Sequence, residues 1–216
     1  MTRRGLLGGT FDPIHVGHLD VAEAARRALS LDRILVVPAR VPPHRRPPVA
    51  SAAHRFAMVA LAVANRRGLL ASDVEMDSDG PSYTTATLDR MAARGDDPAS
   101  LFLVTGADAF REIDTWMGYP QLLDRCHFVV VSRPGCAAPA LRAALPHLAD
   151  RMIDTPPAPN SGPAIVLVDA PTAPVSSTDV RRRLAAGEPI DGLVPDAVAA
   201  HISRHRLYAS AREGQA

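Results

Sequence analysis

Eleven consecutive residues near the start of the chain bring together the groups needed to hold a phosphate: Gly8-Gly9-Thr10-Phe11-Asp12-Pro13-Ile14-His15-Val16-Gly17-His18. Glycines let backbone come close to a ligand because no Cβ stands in the way. The apolar spacing after Val16 predicts a helix that starts within this stretch. Its unpaired N–H groups and positive dipole end suit an anion. His15 and His18 lie three residues apart across that start, so both rings can face one side. Each imidazole can donate a hydrogen bond to a phosphate oxygen, and a protonated one adds charge. The stretch lacks the GK[ST] of a Walker A loop, and its glycines lack the GxGxxG spacing of a dinucleotide fingerprint. Two histidines could instead bind a metal, but no third residue of ligand type lies close by in the sequence.

A second stretch of the same character is Val175-Ser176-Ser177-Thr178-Asp179-Val180-Arg181. Ser and Thr at a helix start cap it and offer hydroxyls beside the exposed N–H groups. Arg181, one turn further on, can present a two-pronged fork to phosphate. On its own the stretch reads equally well as an N-cap followed by a solvated basic run. Beside the first motif it reads as a phosphate site, and Arg182 and Arg183 are left as surface.

Further candidates lie between these two. Pro38 to Val49 is a proline-rich loop that carries Arg40, His44, Arg45 and Arg46. Thr84 and Thr85 open a predicted helix whose N–H groups can meet a carboxylate. Gly106 ends a predicted strand and allows close approach of a ribose or base, and Asp108 can accept ribose hydroxyl protons. Trp116, the only tryptophan, has a large face that can stack on an aromatic ring. Arg133 follows another predicted strand and is a candidate phosphate ligand.

The elements that must position these residues alternate. Strand-like runs are Arg4 to Leu7, Ile34 to Val37, Ala71 to Met76, Leu101 to Val104, His127 to Val131 and Ile165 to Val168. Helix-like runs are Val16 to Leu29, a stretch capped by Ser51 through Arg66, Thr84 to Arg94, Ala107 to Ile113, Ser177 to Ala186 and about Pro195 to Ser203. This alternation predicts an α/β fold, Rossmann-like and doubly wound, with a mostly parallel sheet covered by helices on both faces. Ligands in such folds sit beyond the carboxyl ends of the strands, where strand order reverses. A single domain over residues 1–208 is expected, with helices 177–208 packed on the sheet and a flexible tail at 209–216.

Composition narrows the partners. The 216 residues carry 24 basic and 23 acidic side chains, a net charge of +1, and every basic residue is arginine. Balanced charge argues against nucleic-acid binding through bulk positive potential. No stretch approaches the roughly 18 apolar residues that span a bilayer, and the apolar run after Arg4 is short for a signal peptide. The expected setting is cytoplasmic, without nucleic acid or membrane. Cys126 and Cys136 are too few for a disulfide scaffold and read as reduced thiols.

GTFDPIHVGH closely resembles the HxGH signature of the nucleotidyltransferase superfamily, and VSSTDVR resembles its [IV]S[ST]TxxR signature. The resemblance implies that His15, His18 and Arg181 do the catalytic work, and that Gly8, Gly9, Thr10, Phe11, Gly106, Asp108, Ser177 and Thr178 join them in binding ATP. The middle of the chain is similar to the nicotinate-nucleotide adenylyltransferases of bacterial type. VPARVPPHR resembles their VPxxxPPHK loop, with Arg45 where lysine is common. SYTTATL resembles SYTxxTL, TGAD their GxD element and SRPG their RPG, and the run from Leu193 through Val198, Ile202, His205, Leu207 and Tyr208 resembles their VPxxVxxYIxxxxLY ending, where His201 replaces the usual tyrosine. His54 to Met58 resembles the RxxM helix segment and is read as structural. The family implies that Arg45, Tyr83, Thr84, Thr85, Trp116 and Arg133 bind nicotinate mononucleotide, with Trp116 stacked on its pyridine ring.

The implied reaction moves AMP from ATP to nicotinate mononucleotide, giving nicotinic acid adenine dinucleotide and pyrophosphate. Mg²⁺ would travel with ATP, and no residue is assigned as a protein metal ligand. Nicotinamide mononucleotide and phosphopantetheine are the rival acceptors. SYT, the tryptophan and RPG argue against phosphopantetheine. A non-catalytic nucleotide-binding module is the rival of another class, and the intact His15, His18 and Arg181 count against it. A homo-oligomeric state stays open. The segment from Cys136 to Ser161 is the least matched part.

Overall fold

A computed structural model describes residues 3–43, 47–77, 79–97, 100–158 and 161–209. Seven strands form one sheet: β1 (Arg4–Gly9), β2 (Arg33–Pro38), β3 (Leu69–Ala71), β4 (Leu101–Gly106), β5 (His127–Val131), β6 (Met152–Ile153) and β7 (Ile165–Val168). Their order is β3-β2-β1-β4-β5-β7-β6, and every pairing is parallel. The helices are α1 (Val16–Ala28), α2 (Ala52–Val63), α3 (Thr84–Ala93), α4 (Ala107–Phe110), α5 (Leu141–Ala144), α6 (Ser177–Ala186) and α7 (Asp196–Arg204).

Side chains alternate along each strand between two buried faces, which is why the strands are apolar throughout. Leu7, Val36, Val104, Val129 and Val166 join one core cluster with residues of α1, α2, α6 and α7. Leu6, Leu103, Phe128, Val130 and Leu167 join the other, with Leu88 and Met91 of α3 and Phe110 of α4. The doubly wound α/β architecture is therefore as expected. The chain leaves β1 toward β2 and β3 on one side and resumes with β4, β5 and β7 on the other. Strand order thus reverses between β1 and β4, and beyond the carboxyl ends of such strands is where folds of this kind hold ligands.

Several boundaries differ. The third strand is Leu69–Ala71, not 71–76; Val74 to Asp77 form a turn whose Val74 is buried beside α3. Apolar packing of a turn imitates strand alternation there. The helix after Ser51 stops at Val63, and Gly68, at φ +84°, supplies a left-handed turn into β3. The run Ala107 to Ile113 splits into α4 and a 3-10 turn over Ile113–Thr115. β6 is an addition: two residues are too few to show a period. Pro195 caps α7 from outside.

Candidate active site

β1 runs straight into the glycine pair, and α1 begins at Val16 with His15 as its N-cap. Around Gly8 the space a Cβ would occupy is open, so its backbone is approachable. Gly9 is different: a Cβ there would lie 2.8 Å from the ring of Phe11. That ring is buried, at φ +50°, and meets His18 edge-on with centroids 5.0 Å apart. Phe11 therefore turns its ring inward, against Gly9 and His18.

The two histidines stack, with ring centroids 3.7 Å apart and planes 23° from parallel. The backbone N–H of His15 donates to Nδ1 of His18 at 3.2 Å. With Nδ1 accepting, the His18 proton belongs on Nε2, which makes that nitrogen the donor. His15 is 2% exposed, and its Nδ1 has no hydrogen-bond partner among the described residues. Burial, reinforced by the positive charge of Arg133, lowers its pKa to about 4. At neutral pH His15 is therefore an uncharged imidazole, where the residue type alone allowed a cation.

Asp12 organises the loop beneath the histidines. It is buried and accepts from the backbone N–H groups of Val49 and Ala50 at 2.8 and 3.1 Å, and from the Tyr208 hydroxyl at 2.7 Å. Burial and the bond to Asp12 both push the Tyr208 phenol up, so it stays protonated as a donor. The buried Arg55 completes the support. Its guanidinium donates to the carbonyls of Thr10 (2.8 Å), Ala39 (2.5 Å), Arg40 (3.0 Å) and Ala50 (3.2 Å). The segment around Arg55 was read as structural, and these bonds give that role its content. Neither Asp12 nor Tyr208 was singled out from sequence; a buried acid inside a loop motif has no periodic signal.

The second motif docks directly on the first. Ser176, not Ser177, caps α6, accepting from the Asp179 N–H at 3.1 Å. Ser177 donates its hydroxyl to the Pro13 carbonyl at 2.8 Å. Arg181 donates to the Asp12 carbonyl at 2.6 Å and to the Thr178 hydroxyl at 3.3 Å, and its Nη1 stands 4.0 Å from the Asp12 carboxylate. Chain segments more than 160 residues apart in sequence, at separations of 164 and 169, are thereby held as one cradle.

Arg133 lies across the same cradle. It donates to the Gly17 carbonyl at 3.1 Å and to the Val175 carbonyl at 3.3 Å. A Cβ on Gly17 would come within 2.9 Å of its Nη1. Its stem passes Gly106, where a Cβ would meet Arg133 Cγ at 2.9 Å and Asp108 Oδ1 at 2.5 Å. Gly106 and Asp108 therefore sit at the carboxyl end of β4, next to β1 and against Arg133.

A second cluster surrounds the start of α3. Tyr83 is its N-cap, followed by Thr84 and Thr85. The Ser82 hydroxyl accepts from the Val41 N–H at 3.2 Å and the Ser82 N–H donates to the Val41 carbonyl at 2.8 Å, tying this turn to the proline-rich loop. Trp116 ends the 3-10 turn Ile113–Thr115 and is half-buried. Two residues on, a Cβ on Gly118 would lie 2.7 Å from the Thr85 methyl, so the Trp116 segment abuts α3. Arg45 lies outside the described residues, as do residues 210–216 of the expected tail.

Comparison with known proteins fits this geometry. The cytidylyltransferase-like family model matches residues 6–183. The chain is 43% identical over 211 residues to a protein of Roseiflexus sp. (strain RS-1) named probable nicotinate-nucleotide adenylyltransferase, covering 94% of this chain and 96% of that one. It is 42% identical over 207 residues to a protein of the same name from Pseudomonas fluorescens, covering 95% and 97%. Its fold is similar to that of Plasmodium falciparum nicotinic acid mononucleotide adenylyltransferase complexed with NaAD, with a TM-score of 0.73 at 17% identity over 95% and 96% of the chains. The chain belongs to the cytidylyltransferase-like family and, within it, to the nicotinate-nucleotide adenylyltransferases.

Proposed function

We propose that this protein transfers AMP from ATP to nicotinate mononucleotide, releasing pyrophosphate and forming nicotinic acid adenine dinucleotide. The observation that carries the reading is the docking of α6 on the β1–α1 loop, which sets Ser177, Thr178 and Arg181 beside His15 and His18 at the point where strand order reverses.

In this reading a phosphate oxygen of the acceptor attacks the α-phosphorus of ATP and the bond to the pyrophosphate oxygen breaks. The acceptor phosphate is already ionised at neutral pH, so no strong general base is needed. The residues align the reactants and stabilise charge as it moves to the leaving group. His18 donates from Nε2 and His15 from a neutral ring, while Arg181, the Thr178 hydroxyl and the N–H groups at the start of α6, held in place by the Ser177 bond to Pro13, hold the triphosphate. Gly8, Gly9, Thr10 and the Phe11 backbone lie along the nucleotide, and Gly106 and Asp108 receive its ribose. At the other end, the N-terminus of α3 with Tyr83, Thr84 and Thr85 reads the carboxylate, Trp116 stacks on the pyridine, and Arg45 and Arg133 meet acceptor phosphate.

Imidazoles, guanidiniums and hydroxyls suit phosphate oxygens. Among the described residues no three His, Cys, Asp or Glu side chains are grouped as a cage for an ion. Mg²⁺ in this reading arrives on ATP, keeps mostly water ligands and neutralises triphosphate charge. A cytoplasmic enzyme of one domain acting on these two substrates is the corresponding picture.

The decisive assay is pyrophosphate release from ATP with nicotinate mononucleotide, nicotinamide mononucleotide and phosphopantetheine in turn. Turnover with the first, exceeding that with the amide and absent with phosphopantetheine, is the expected result. Release with phosphopantetheine alone, or with no acceptor, would overturn the reading.

A further inference from the structure

We propose that His147 is a positioning residue for acceptor recognition: it clamps both ends of the segment that carries Trp116. The inference rests on the reading that Trp116 meets the pyridine ring. Asp114 stands two residues before Trp116, and Tyr119 three residues after. His147 Nε2 lies 3.2 Å from Asp114 Oδ1 and 3.1 Å from the Tyr119 hydroxyl oxygen. One imidazole nitrogen thus closes the segment into a loop from outside.

The clamp itself is anchored. His147 belongs to the 3-10 turn Pro146–Arg151, and its neighbours Leu145 and Leu148 are buried in the same core cluster as Phe110, Leu122 and Leu123. Four residues on, Arg151 donates to the Leu123 carbonyl at 2.6 Å and pairs with Asp124 at 2.8 Å. The same short turn therefore grips the chain on both sides of Tyr119. Burial of the Tyr119 hydroxyl, then its bond to Asp114, raises its pKa, so the hydroxyl keeps its proton and can bond within the triangle. The anchored segment needs such a tie. Ile113 is its only fully buried side chain up to Leu122, Met117 is 52% exposed, and Gly118 turns the backbone through a left-handed conformation at φ +85° two residues after the ring. The function of the 136–161 region, illegible in the sequence, follows: part of it is a strap that fixes the pyridine-reading end of the site.

His147 and Asp114 are both about half exposed, so their pairing contributes little to global stability. The effect belongs in substrate affinity. His147→Ala is expected to raise KM for nicotinate mononucleotide about 3- to 10-fold, the range for one or two lost hydrogen bonds, with kcat and the KM for ATP within about 2-fold of wild type. Because Trp116 is the only tryptophan, acrylamide quenching of its fluorescence reads the segment directly and should increase. Tyr119→Phe, which removes only a hydroxyl, should move both readouts the same way by less. Unchanged acceptor KM and unchanged quenching in both variants would overturn the inference, as would KM values for the two substrates rising in parallel. Trp116→Ala is measured alongside. If it moves acceptor KM while His147→Ala does not, only the clamp is refuted. If Trp116→Ala leaves acceptor KM unmoved, the assignment of the pyridine end falls, and the clamp with it.

Discussion

His15 should be a source of acid sensitivity. Its pKa is about 4 in the folded protein, against 6.5 in an exposed imidazole, because the ring is buried and faces Arg133. Between those two values the unfolded chain binds a proton that the folded chain refuses. Stability therefore rises with pH through this window, is complete above the unfolded value, and is lost as pH falls from about 6.5 toward 4. At 1.36 kcal/mol per unit the full loss is about 3 kcal/mol, of which about 2 kcal/mol falls between pH 7 and pH 5. His15→Asn removes the titration while keeping a residue type favoured at an N-cap. Urea midpoints of both proteins, followed from pH 7 to pH 4.5, isolate the effect. Other histidines of lowered pKa, such as His127 and His201, contribute equally to both and cancel in the difference. The expected outcome is a variant whose stability falls less on acidification, by about 2 kcal/mol at pH 5. Parallel pH profiles, within about 0.5 kcal/mol, would refute both the neutral state of His15 and its assignment as an uncharged donor.

Two further outcomes test the site. His18→Ala should lower turnover by on the order of 10²-fold or more, as loss of one preorganised donor to developing charge does; near-wild-type turnover at saturating substrates would remove His18 from the chemistry. Tyr208→Phe deletes a buried hydroxyl that donates to Asp12, and should cost about 1.5–3 kcal/mol of stability with a raised KM for ATP and little change in that for the acceptor; chemical unfolding and initial rates check both.

What could be read in the sequence follows from what is local. β1, β2, β4, β5 and β7 are apolar runs because both of their faces are buried, and such runs are visible. β6 has two residues and carries no period. The two phosphate motifs were legible because each is contiguous. The bonds that join them were not, since Ser177 and Arg181 act on carbonyls of Pro13 and Asp12, and a carbonyl acceptor leaves no trace in residue type. For the same reason Arg133 was legible as a cation after a strand, while its grip on Gly17 and Val175 was not. The direction of the Phe11 ring was not legible, because residue type does not show that the ring fills the gap that Gly9 leaves.

The absence of lysine gains a physical meaning in this site. A loop that binds phosphate must bring backbone close to negative charge, and carbonyl oxygens pointing at the ligand would repel it. In this protein guanidiniums occupy the carbonyls of Thr10 and Asp12 in the β1–α1 loop and of Gly17 in the first turn of α1, and those of Ala39, Arg40 and Val175 in the loops around them. An ammonium has three donors radiating from one point, whereas a guanidinium spreads five donors along a rigid plane. Arg55 uses that spread to reach four carbonyls with one side chain, and Arg133 to bridge the start of α1 to the strand-following loop at Val175. Such bridges fix the loops and leave positive charge beside them. In the proposed reading Arg133 and Arg181 consequently serve twice, as ties between loops and as charge for phosphate, Arg181 for the triphosphate and Arg133 for the acceptor phosphate, and the second role depends on the first. On that reading the cradle can hold an anion because its own acceptors are already taken.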